Sequence, residues 1–94
     1  MSSTKLVLLE TGNTLLETFD FRSEFSFDEF AKWIGDTLDV RPLGGVMTEG
    51  MEPFDFHYRN SIMRAGWSEE HGCYIEAGAP SRPDIEALQQ ALSK

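Results

Sequence analysis

Apolar and polar positions along this chain fall into short periodic blocks. The first, "KLVLLE" at residues 5–10, is followed by "TGNT" and then by "LLETFDF" at residues 15–21. Two such runs separated by a Gly-Asn pair predict a β-hairpin, with Gly12 and Asn13 both able to take positive φ. In the second run Leu15, Phe19 and Phe21 share one parity, while Thr18 and Asp20 fall on the other. That alternation predicts a strand reaching residue 21 with one wet face.

The period then changes. In "SFDEFAKWIGDTLD", Phe27, Phe30, Ala31, Ile34 and Leu38 recur at helical spacing, and Asp28, Glu29, Lys32 and Asp36 face away from them. Ser26 with Glu29 three residues on has the form of a capping box, and the early acids suit the positive end of the helix dipole. Gly35 weakens this helix, and Arg41-Pro42 ends it at the latest. After residues 41–53 the two-residue period returns. Phe54, Phe56 and Tyr58 alternate with Asp55 and His57; "SIMRAGW" turns back through Arg59-Asn60; "CYIEA" follows across "SEEHG", with Gly72 placed for positive φ. A last helical block has Ser81 as its cap, Pro83 and Asp84 in its first turn, and Ile85, Leu88 and Leu92 as its buried stripe. The order β-β-α-β-β-β-α predicts a small single α+β domain spanning residues 1–94. Its architecture is a mostly antiparallel sheet of four or five strands with two helices packed on one face.

Composition adds a sign to this picture. Eight Lys and Arg stand against 16 Asp and Glu, a net charge of −8. The excess is spread along the chain, so the field comes from a folded surface. Such a surface repels nucleic acid and anionic membrane and attracts a basic protein. Cys73 is the single cysteine, which excludes an internal disulfide. The N-terminal stretch has neither a basic n-region nor a cleavage pattern, and no apolar run approaches a membrane span, so a cytoplasmic location is expected.

Candidate chemistry is sparse. His57, His71 and Cys73 are the natural metal or catalytic candidates, but their spacing matches no structural zinc pattern. Glu69 and Glu70 beside Cys73 disfavour a reactive thiolate. Adjacent carboxylates fall on expected solvent faces, and no phosphate-cradling glycine motif or nucleophile elbow is present. No cofactor or metal is expected, and no motif ties the chain to a family.

What remains is surface. The stretch "RPLGGVMTEGMEPFDF" places Met47, Glu49, Met51 and Glu52 in a loop that is long for so small a domain. Trp67 stands beside "SEEHG", and Trp33 lies one position off the buried stripe. Tryptophan and methionine are enriched at protein interfaces. The expected function is therefore non-enzymatic binding through Met47, Glu49, Met51, Glu52, Asp55, Trp67, Glu69 and Glu70. An antagonist of this kind docks carboxylates on the basic, nucleic-acid-binding site of a partner protein. Toxin-immunity proteins and phage anti-defence proteins such as anti-CRISPRs are functional analogues. Two alternatives stand beside it: an enzyme or accessory subunit with a pocket around His57, His71 and Cys73, and self-association, as a homodimer, through a strand edge or the first helix.

Overall fold

The computed structural model describes residues 4–43 and 53–93. Five strands, β1 (Thr4–Leu8), β2 (Thr14–Thr18), β3 (Phe54–Tyr58), β4 (Ser61–Ser68) and β5 (Gly72–Ala77), form one antiparallel sheet. The spatial order is β1-β2-β5-β4-β3, so the last strand in the chain is the middle one in space. Helix α1 (Phe27–Leu38) links β2 to β3, and α2 (Arg82–Leu92) closes the chain. The predicted element order and α+β class are those of the structure.

Register explains the core. One row across the sheet pairs Leu6 with Leu16, Leu16 with Ile75, Ile75 with Ala65, and Ala65 with Phe54. Phe27, Phe30 and Ile34 of α1 and Ile85, Leu88 and Leu92 of α2 join this face in a single buried cluster. Both helices therefore cover the same face. Phe30 and Phe56 are wholly buried, and each contributes about 2–3 kcal/mol of transfer free energy. Trp33 packs at the margin of the cluster, its ring stacked on Phe21 at 5.3 Å.

Three expectations are corrected. Strand β2 stops at Thr18, and its core face carries Leu16 and Thr18; Leu15 is buried with the opposite parity, Phe19 is half exposed, and Phe21 packs at the core margin from beyond the strand. Thr18 is 1% exposed because its hydroxyl donates to the Cys73 carbonyl at 2.8 Å; a satisfied hydroxyl can stand where an apolar group was expected. Ser26 occupies the position before α1, but its side chain does not cap. The chain enters α1 through a single 3-10 turn, Glu24–Ser26, and the cap moves to Ser23, whose hydroxyl accepts from the Phe25 N–H at 3.1 Å. Ser81 likewise makes no side-chain cap, and Asp84 instead accepts a hydrogen bond from Ser61.

The turns follow backbone chemistry. In the first hairpin only Gly12 takes positive φ, 92°, and the Leu9 N–H donates to the Asn13 carbonyl at 2.8 Å. Gly72 has φ 72° as expected, whereas the β3–β4 turn puts Arg59 at φ 55°. Helix α1 ends at Asp39, whose left-handed φ of 55° sends its N–H back to the Gly35 carbonyl. No helix among the described residues is long and apolar enough to cross a membrane.

Candidate functional site

Between β2 and α1, residues 19–26 cross one end of the sheet as a strap. Glycine makes the crossing possible. A Cβ on Gly72 would lie 3.0 Å from the Arg22 Cα and 3.1 Å from the Phe21 carbonyl oxygen, so the strap and the β4–β5 turn touch backbone to backbone. The Cys73 N–H donates to the Phe21 carbonyl at 2.8 Å, and the Trp67 Nε1–H donates to the Arg22 carbonyl at 2.9 Å. The Arg22 guanidinium returns the contact, donating to the carbonyls of His71 at 3.0 Å and Glu70 at 3.2 Å. Glu17 completes the cluster, with Oε2 3.0 Å from His71 Nδ1 and 3.8 Å from Arg22. Arg22 is thus held in place between backbone carbonyls and one carboxylate.

This end of the molecule is acidic. Glu17 and Asp20 approach it from β2 and the start of the strap, Glu24, Asp28 and Glu29 from the entry to α1, and Glu69 and Glu70 from the β4–β5 turn. Lys5 (directly across from Glu17), Arg22 and Lys32 (one turn along α1 from Asp28) are basic side chains among these described neighbours. The strap also presents aromatic surface. Phe19 is 50% exposed, and Phe25, on the 3-10 turn, is 88% exposed. Sequence periodicity assigned Phe19 to the core and passed over Phe25. The available signal was phase: Phe25 shares the parity of Leu15, Phe19 and Phe21, but it lies off the Phe27-Phe30-Ile34 stripe that follows.

The residues expected to bind a partner separate into groups. Glu69 and Glu70 lie exposed in the turn beneath the strap. Trp67 is half-buried against the core, with its N–H used on the strap. Asp55 is on the helix-free face of β3, paired with Arg64 at 3.0 Å. Met47, Glu49, Met51 and Glu52 lie outside the described residues. The flanks of their loop are placed: the Leu43 N–H donates to the Asp55 carbonyl at 2.8 Å, and Pro53 precedes Phe54. Phe54 pairs with Ala65, toward the end of β4 that leads into Glu69 and Glu70. Phe54 and the "SEEHG" turn therefore share one end of the sheet.

His57, His71 and Cys73 are not brought together. His57 pairs with Ile62 near one end of β4, and Gly72, next to His71, pairs with Ser68 at the other. Six residues of strand separate those positions, roughly 20 Å. Cys73 is fully buried, and burial pushes its thiol up to about 11. Among the described residues no group of three His, Cys, Asp or Glu could hold a metal ion. An open groove of about 400 Å³ runs beside α1, floored by Ala31, Ile34 and Phe54 and edged by Asp36, Asp39 and Arg41. Comparison with family models, with curated proteins and with solved structures finds no match to this chain.

Proposed function

We propose that this protein is a non-enzymatic binding domain that docks its acidic end on a basic site of a partner protein and so antagonises it. The observation that supports this reading is the gathering of carboxylates from three separate elements at the strap end, where Arg22 is already engaged by Glu17 and two carbonyls. Such an end attracts Lys- and Arg-rich surfaces over a Debye length of about 8–10 Å and repels polyanions. A site that normally receives a phosphate backbone is the natural target, as for the cytoplasmic toxin-immunity and phage anti-defence antagonists that work by occupying such sites.

The test is capture followed by kinetics. Immobilised protein exposed to lysate of its own source should retain a basic partner that elutes as salt rises from ~50 to ~200 mM. The double reversal Glu69→Lys/Glu70→Lys should then slow association about tenfold at low salt, because steering acts on the on-rate. Glu10→Lys, in the first hairpin at the far end, should leave the rate unchanged. A folded protein that retains nothing, or equal effects from both ends, would sink the reading.

A further inference from the structure

We infer that Phe25 is the anchor of this contact, so that the partner's basic site includes an apolar pocket rimmed by Lys and Arg. The inference rests on the reading that the strap end is the docking face. Phe25 is 88% exposed, against 47–63% for the other exposed large apolar side chains among the described residues. An isolated exposed apolar residue is ordinary on a protein surface. This one differs in how it is held. Its own N–H is bound to the Ser23 hydroxyl, and the Ser26 N–H closes the turn on the Ser23 carbonyl at 3.0 Å. The preceding residues are tied to the β4–β5 turn by the Phe21, Arg22 and Trp67 bonds. The ring therefore sits on backbone ordered before any encounter, which lowers the entropic cost of inserting it. Phe19, half exposed on the same strap, enlarges the apolar surface.

Charge selects the occupant. Glu24 adjoins Phe25 in sequence, and Asp28 and Glu29 follow in the first turn of α1. A second copy meeting at this end would set carboxylates against carboxylates, and an anionic membrane or nucleic acid meets the same repulsion. A folded protein with a basic rim around an apolar pocket satisfies both components. Aromatic anchors in such pockets are the usual centres of binding energy.

The experiment uses the partner captured by the wild-type protein, purified, and titrated with wild type, Phe25→Ala and Phe25→Leu at ~50 and ~100 mM salt. Capture alone supports nothing. Phe25→Ala should weaken binding at least ~30-fold at both salt concentrations, mainly through faster dissociation, and Phe25→Leu should recover most of the loss. The thermal midpoint should be unchanged, because the side chain is outside the core. Unaltered affinity in Phe25→Ala overturns the anchor and leaves the docking reading intact. Absence of any stoichiometric partner for the folded protein overturns both. Two controls give the other occupants a chance: a wild-type dimer in sedimentation that Phe25→Ala makes monomeric, or Phe25-dependent flotation with phosphatidylcholine–phosphatidylserine vesicles, would also overturn it.

Discussion

A methyl group separates two kinds of glycine in this protein. At Gly72 an added Cβ would press on backbone atoms of the strap, and φ is already 72°, a conformation that other L-residues resist. Gly72→Ala should therefore cost about 2 kcal/mol or more, read as a lower urea midpoint. At Gly66 the added Cβ would lie 2.7 Å from the Tyr74 hydroxyl oxygen and 2.9 Å from its ring carbon Cζ, so it meets a side chain, not backbone, and the ring must shift. Gly66→Ala should cost only about 1 kcal/mol in the same assay. Cys73 supplies a pH signature. Its ordinary value of 9.0 rises to about 11 because burial disfavours the thiolate. Folding then favours the protonated form: the contribution is complete below pH 9 and is lost as pH climbs toward 11. Urea midpoints of wild type and Cys73→Ala should run parallel up to pH 9, after which wild type should fall faster. Thr18 shows where reading by residue type stops. Periodicity sees a polar side chain and sends it to solvent; only the Cys73 carbonyl, 55 positions away, makes its burial favourable.

At the scale of elements, the periodic patterns were enough to order seven strands and helices, because amphipathic repeats are local. Their limits were less legible. The strand expected to reach residue 21 ends at Thr18 because the chain must leave the sheet to form the strap, and the helix cap shifts to Ser23 for the same reason. The candidate site was legible only in parts. Glu69 and Glu70 were found as acids in a turn, but the strap above them is held by bonds spanning nearly fifty residues, which no local pattern encodes. Arg22→Ala tests that strap. It removes two hydrogen bonds and one ion pair, so it should cost about 1–2 kcal/mol. Amide exchange should quicken first at residues 19–23 and 70–73, ahead of the core strands. The β3–β4 turn offers the opposite case. Arg59 holds φ 55° where a two-residue hairpin favours glycine, so Arg59→Gly should raise the thermal midpoint, by a gain of about 0.5–1 kcal/mol.

Across the whole molecule, sequence order and spatial order part company. Local hairpins could be read in succession, but nothing in the patterns says that β5 lies between β2 and β4. That placement makes the sheet from two halves, an N-terminal hairpin and a C-terminal meander, and β5 is the seam that joins them. The seam arrives late during synthesis. Until residues 72–77 emerge, β2 has one unpaired edge, the strap has no turn to bind, and the Thr18 hydroxyl has no carbonyl to meet. A nascent chain therefore carries an exposed strand edge through most of its translation, a state open to aggregation or to a chaperone. Closure then depends on contacts between distant parts of the chain, which makes folding slow for so small a protein. A gene truncated just before β5 should yield no stable hairpin-plus-helix fragment, only chain for the cell's proteases to remove.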